Sequence, residues 1–284
     1  MKYAALLLLI SLQSYAQDFT VFAHRGFRGL HPENTVSAFK KTLHYTPVLE
    51  MDIMISKDME VVVTHDAVLN SKLYTDASGE PLANGYTPRI YELNAAEIQK
   101  YHIGITPHPG YPSQQQIKET IPTLNRVMEE VTAYAKTHGM QRPKYFIETK
   151  ISEKTDHLKH PDPKIVVELL MKVLQKHTQP QEVIIQSFDP RTLSYIEKHY
   201  PEYETCLLDG KKIPLSVYLE QLDFRPDYFS PRFEQITAQT LEESKQYGIP
   251  LIGGNANSRK AVDQMKKWGI RYVISDFPYE MLTD

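Results

Sequence analysis

Short apolar runs, rich in β-branched and aromatic residues, alternate with longer amphipathic stretches along nearly the whole chain. The runs fall at 20–24, 48–55, 61–65, 145–150, 183–188, 205–208, 228–231, 250–253 and 272–276. The stretches 34–43, 124–138, 164–177, 190–199, 216–221, 237–246 and 258–268 read as helices. Alternation of this kind implies parallel strands joined by crossover helices. For 284 residues, the expected architecture is a single α/β domain over 17–284 folded as a TIM (β/α)8 barrel, a fold that takes about 250 residues. A doubly wound open sheet is the alternative. Nine runs are one more than a barrel holds. The run 61–65 follows 48–55 after the tight polar turn 56–59, so this pair is expected to form a hairpin-like excursion.

Residues 67–120 break the rhythm. Gly79, Pro81, Gly85, Pro88, Gly104, Pro107, Pro109, Gly110 and Pro112 punctuate them, which predicts an insertion of loops and short helices such as 95–101. Loops of this length in a compact domain usually form lids or binding segments.

The N-terminus reads as a secretion signal over residues 1–16. Lys2 precedes an apolar run from Ala4 to Leu12, and Ser14-Tyr15-Ala16 offers small residues for cleavage. The run is too short for a membrane anchor, which needs about 20 apolar residues. The chain is therefore expected to be secreted or periplasmic, with no stable membrane insertion after cleavage. Cys206 is the only cysteine, which excludes a disulfide framework or a thiolate metal cluster, and its apolar surroundings suit a core residue. A formal net charge of -3 gives no global attraction to nucleic acid, so any recognition of phosphate has to be local.

Polar residues cluster where the apolar runs end, the edge of a β/α barrel that carries function. His24-Arg25-Gly26 closes the first run, Glu50 and Asp52 share one face of the second, His65-Asp66 closes the third, and Glu148 and Lys150 share a face of the fourth. Two acids on one strand face repel unless something positive lies between them. Three carboxylates, Glu50, Asp52 and Glu148, suit a hard divalent cation, Ca2+ or Mg2+, whereas zinc usually recruits imidazole or thiolate. His24 and His65 titrate near neutrality and suit a general acid and base. Arg25 and Lys150 suit a phosphodiester anion.

Together these pieces resemble the glycerophosphodiester phosphodiesterase family. The resemblance runs from about 22 to 279. It adds Pro32-Glu33-Asn34-Thr35, Ala38-Phe39, Gln186-Ser187-Phe188 and Ile274-Ser275-Asp276-Phe277-Pro278 to the motifs above. It implies a TIM barrel with an insertion after His65-Asp66. It makes Glu50, Asp52 and Glu148 metal ligands, His24 and His65 the acid–base pair, and Arg25 and Lys150 the phosphate-binding cations. It also implies attack by the substrate's own 2-hydroxyl on phosphorus, followed by opening of the cyclic phosphate by water. The expected substrate is a small glycerophosphodiester, cleaved to sn-glycerol 3-phosphate and an alcohol. Lysophospholipids or another phosphodiester are the alternative substrates, and a catalytically silent binding protein is the alternative class. The supporting residues are Glu33 and Asn34, which either cap the first helix or orient the site, and Asn257. Asp276 is expected to pair with Arg25 or Lys150, or to cap its loop. One departure stands out. Where family members carry Trp-Thr-Val-Asn, this chain reads Gly254-Asn255-Ala256-Asn257, so an aromatic wall has to come from elsewhere, with Phe27, Phe188, Phe233 or a tyrosine of the insertion as candidates.

Overall fold

The computed structural model describes residues 19–83 and 85–282; the expected leader over 1–16 lies outside the described residues. Eight parallel strands form the barrel: β1 (Thr20–Ala23), β2 (Val48–Ile55), β3 (Lys144–Thr149), β4 (Val183–Ser187), β5 (Glu204–Leu208), β6 (Tyr228–Ser230), β7 (Ile252–Gly253) and β8 (Tyr272–Ser275). They pair in the order β6-β5-β4-β3-β2-β1-β8-β7. Two isolated parallel bridges, Phe229 to Leu251 and Arg232 to Gly254, join the β6 and β7 segments and nearly close the ring. The short strand Val61–Val63 pairs antiparallel with β2 in the register Ile53 to Val63, which is the hairpin anticipated from the polar turn.

Seven helices connect the strands: α1 (Val36–Thr42), α2 (Leu124–Thr137), α3 (Pro163–His177), α4 (Pro190–His199), α5 (Leu215–Gln221), α6 (Ala238–Tyr247) and α7 (Arg259–Lys267). Their starts are encoded locally. The Asp162 and Asp189 carboxylates accept from the backbone N–H of Lys164 and Arg191, and Pro163 and Pro190 occupy first-turn positions that need no donor. On α2, Leu124, Val127, Met128, Val131 and Ala135 form the buried stripe that holds it against the barrel.

Alternation along the strands divides the barrel interior into two layers. Phe22, Val48, Phe146, Cys206, Ile252 and Ile274 cluster as an apolar plug, with the Phe22 and Phe146 rings edge-to-face at 5.0 Å. One inward step further along the strands, His24, Glu50, Glu148, Gln186, Ser230 and Gly254 line a cavity. Cys206 is fully buried in the plug, as a small core residue.

Several runs are shorter as strands than the sequence suggests. β1 stops at Ala23 and the hairpin strand at Val63; the His24 N–H still donates to the Ser275 carbonyl at 2.9 Å, and both His24 and His65 line the cavity. β7 begins at Ile252, after Pro250, which has no N–H to donate to a ladder. The insertion holds more than loops. Tyr74–Thr75, His102–Ile103 and Glu119–Thr120 form a three-stranded antiparallel sheet. Two-residue strands give almost no alternation to read, so this sheet is invisible to periodicity. Its Leu69, Ile90, Ile98 and Ile121 form a second core on Met54 and Val62.

Because the interior plug has no room to collapse, Phe146→Ala is expected to cost about 3–5 kcal/mol of stability, read as a lower midpoint in equilibrium denaturant unfolding.

Candidate active site

The loop from β1 to α1 builds one wall of the cavity. Arg25, Phe27 and Asn34 all adopt positive φ, at 51°, 57° and 56°, which is costly for side chains other than glycine. Gly26 sits between them at φ 78°, and a Cβ there would come within 2.9 Å of the Ala38 Cβ. The contorted path has an outcome. It aims the Arg25 N–H at Glu50 Oε2, 2.8 Å away, and the Asn34 side-chain amide at Asp52 Oδ2, 2.9 Å away. Asn34 Oδ1 also accepts from the Asp52 N–H at 3.3 Å. Capping of α1 belongs to Thr35, whose hydroxyl accepts from the Ala38 N–H, so Asn34 orients Asp52 and does not cap.

Glu50, Asp52 and Glu148 converge, with donor oxygens within 4.8 Å of one another. Parallel pairing of β2 and β3 sets Asp52 opposite Glu148. All three side chains are buried. Gln186 donates to Glu50 Oε1 at 2.9 Å, and Lys150 Nζ donates to Glu148 Oε1 at 2.7 Å. Asp52 Oδ1 is buried with no hydrogen-bond partner; its nearest cation, Lys150 Nζ, is 3.8 Å away. Burial and then the Asp52 charge push the Glu50 and Glu148 carboxyls above the ordinary carboxylate range, although for Glu148 the Lys150 ammonium pulls the other way. Asp52 is driven below that range: burial opposes ionisation, but Arg25, Lys150, His65 and the Asn34 amide together overcome it. An orphaned carboxylate oxygen between two strained acids fits a hard divalent cation.

Arg25 is held within the protein. Its Nη1 donates to Glu33 Oε1 at 2.9 Å and its Nε lies 3.1 Å from Asp52 Oδ2. Despite its burial, the charges of Asp52, Glu33 and Glu50 keep it firmly protonated. Glu33 therefore anchors Arg25 and does not cap the helix. Arg25 and Lys150 both line the cavity.

Both imidazoles face a carboxylate through Nδ1, but His24 is the more enclosed and also lies 3.1 Å from the Asn255 side-chain amide. His24 Nδ1 lies 2.6 Å from Asp276 Oδ1, and His65 Nδ1 lies 2.6 Å from Asp66 Oδ1. In each ring the carboxylate holds the proton on Nδ1 and leaves Nε2 as the working nitrogen. Burial lowers the His24 pKa, against the opposing hydrogen bond from Asp276. Asp276 is not paired with Arg25 or Lys150. It accepts from His24, from Arg28 Nε at 2.8 Å, and from the Tyr111 hydroxyl and the Asn257 side-chain amide. Asn257 thus reaches His24 through Asp276. Arg28 and Tyr111 were missed from the sequence; Arg28 lies only four residues beyond His24, while nothing in the chain marks Tyr111.

The cavity measures about 480 Å³. Phe188, 44% exposed, lines it and lies under the Lys150 ammonium at 5.9 Å. Among the aromatic candidates it is the ring that borders the cavity. Phe27 is fully buried, and Phe233 packs against Trp268 at 5.8 Å. Gly254 explains the missing tryptophan: a Cβ there would meet Ile274 Cβ at 2.8 Å, so this backbone admits no side chain.

Comparison with known proteins agrees with this arrangement. Residues 24–280 match the model of the glycerophosphoryl diester phosphodiesterase family. A glycerophosphodiester phosphodiesterase of Bacillus altitudinis is 28% identical over 264 residues, covering 91% of this chain and 94% of that protein. A solved glycerophosphoryl diester phosphodiesterase, assigned as such provisionally, from Silicibacter pomeroyi superposes with a TM-score of 0.81 at 23% identity, over 93% of this chain and 92% of the other. An Oleispira antarctica phosphodiesterase, solved in complex with the product sn-glycerol-3-phosphate, superposes with a TM-score of 0.71 at 21% identity, over 92% and 94%. Fold and site define a phosphodiester-cleaving barrel enzyme, a phosphoric diester hydrolase. The chain belongs to the glycerophosphoryl diester phosphodiesterase family.

Because protons on the raised Glu50 and Glu148 carboxyls compete with a cation, divalent-cation affinity measured by calorimetry is expected to fall as the pH is lowered. The decline should begin at higher pH than ordinary carboxylates would give.

Proposed function

We propose that this enzyme hydrolyses glycerophosphodiesters to sn-glycerol 3-phosphate and a free alcohol, with one divalent cation, Ca2+ or Mg2+, held by Glu50, Asp52 and Glu148. The carrying observation is the convergence of that triad with two carboxylate-braced imidazoles and two cations around one cavity. The bound cation supplies Lewis-acid charge that acidifies the attacking hydroxyl and offsets charge on the phosphate oxygens.

Arg25 and Lys150 hold the phosphodiester anion over the triad. His24, kept neutral by burial, takes the proton of the substrate 2-hydroxyl through Nε2. The 2-oxygen forms its bond to phosphorus as the bond to the leaving alcohol breaks, and His65 delivers a proton to that alcohol. Water then opens the cyclic phosphate with the two imidazoles in reversed roles. Holding hydroxyl and phosphate together makes the attack unimolecular. Phe188 offers the apolar wall that Gly254 does not.

Small deacylated substrates fit better than lysophospholipids. Across 67–120, Tyr86 is the one large apolar or aromatic side chain exposed among the described residues, which is little for an acyl chain to rest on. We also propose that the enzyme acts outside the cytoplasm, on the strength of the leader-like residues 1–16.

The test is an assay series with glycerophosphocholine, glycerophosphoethanolamine, glycerophosphoinositol and lysophosphatidylcholine, each with Ca2+, Mg2+ or chelator. Turnover is expected for the deacylated substrates, greater than for the lysolipid, and lost on chelation; turnover indifferent to chelator would reject the cation. Glu50→Gln is expected to lower kcat/KM by about 100-fold or more. His24→Ala and His65→Ala should each lower kcat by about 10²–10⁴-fold. Near-normal rates in both histidine variants would remove the acid–base assignment.

A further inference from the structure

The insertion is tied to the loops of the barrel mouth. Its segment around 108–115 is fastened to the β1–α1 loop: Gln114 Nε2 donates to the Arg28 carbonyl at 2.6 Å, and the Gln115 N–H donates to the Leu30 carbonyl at 2.8 Å. From this segment Tyr111 reaches inward. Its ring lies under the Arg28 guanidinium at 5.3 Å, against His108 at 4.8 Å and edge-on to Phe277 at 6.1 Å. Its hydroxyl donates to Asp276 Oδ2, while His24 Nδ1 and Arg28 Nε share Oδ1.

We propose that Tyr111 is a positioning residue for catalysis, acting through Asp276 to hold the His24 imidazole in its working orientation and tautomer. This rests on the reading of His24 as the base that activates the substrate hydroxyl. One carboxylate is divided between two sides. Asp276 Oδ1 must face His24 for Nδ1 to keep its proton. Oδ2 is engaged by donors from the Tyr111 hydroxyl and the Asn257 amide, which blocks rotation of the carboxylate about its Cβ–Cγ bond. Tyr111 stays protonated, and so remains a donor, far above neutral pH: burial and then the Asp276 hydrogen bond push its phenol up to about 12. The charged and titratable groups facing His24 and Asp276 are Arg25, Arg28, Tyr111 and His108.

Tyr111→Phe keeps the ring and its packing and removes only the hydroxyl. With that donor gone, Asp276 binds the imidazolium form of His24 more strongly, so the pKa of His24 rises. The acid limb of the kcat/KM–pH profile is therefore expected to move to higher pH. kcat should fall about tenfold, the kinetic equivalent of one hydrogen bond to a charged group, with KM within about twofold of the parent. Tyr86→Phe removes an insertion hydroxyl that bonds Tyr101, and should leave both the profile and kcat unchanged. A Tyr111→Phe enzyme with parental kcat and an unmoved acid limb would overturn the proposal while His24→Ala remains inactive. Loss of thermal stability with an unmoved limb would likewise overturn it, as a purely structural role. If His24→Ala stays active, the base assignment itself fails.

Discussion

Three ionisable carboxylates packed together out of water are the constraint around which the rest of this site is arranged. Like charges that close repel, and burial removes the solvent that would screen them. The protein answers with partners for four of the six oxygens: the Gln186 amide and the Arg25 N–H on Glu50, the Asn34 amide on Asp52, and the Lys150 ammonium on Glu148. The loop between β1 and α1 takes its unfavourable backbone path in order to deliver two of these donors. Strain there is offset by charge neutralisation a few ångströms away. Asp52 Oδ1 is left without a donor, within the carboxylate triad that could hold a divalent cation.

The same strands that carry the acids also support them. Successive inward positions run from Val48 to Glu50 and Asp52 on β2 and from Phe146 to Glu148 on β3. A rigid apolar plug thus lies beneath the three acids. Catalytic groups built on strands over a packed core hold their geometry better than groups carried on loops. The loop groups here, His24 and His65, are each braced by a carboxylate instead.

A second tier of contacts ties distant parts of the chain to the reacting groups. Asp276, at the end of the last strand, collects donors from the first loop, the insertion and the loop after β7. Glu33 anchors Arg25 in the same way. Each of these residues has an innocent local explanation in the chain, as a cap or a loop polar group. Folding converts them into supports for residues they never neighbour in sequence.

Much of the molecule was legible from the chain alone. Strand–helix alternation, the polar turn before Val61 and the acids at strand ends depend on local periodicity and residue chemistry, which survive in one dimension; so the barrel, the hairpin and the triad could be named by residue. The small sheet of the insertion could not, because strands of two residues carry no period. Nor could the partners of Asp276, the αL path of Arg25 and Asn34, the reach of Tyr111, or the replacement of a tryptophan slot by a glycine wedged against Ile274. Those depend on which side chains meet across the barrel mouth. Such meetings are set by strand register and loop closure, and a linear chain does not record them.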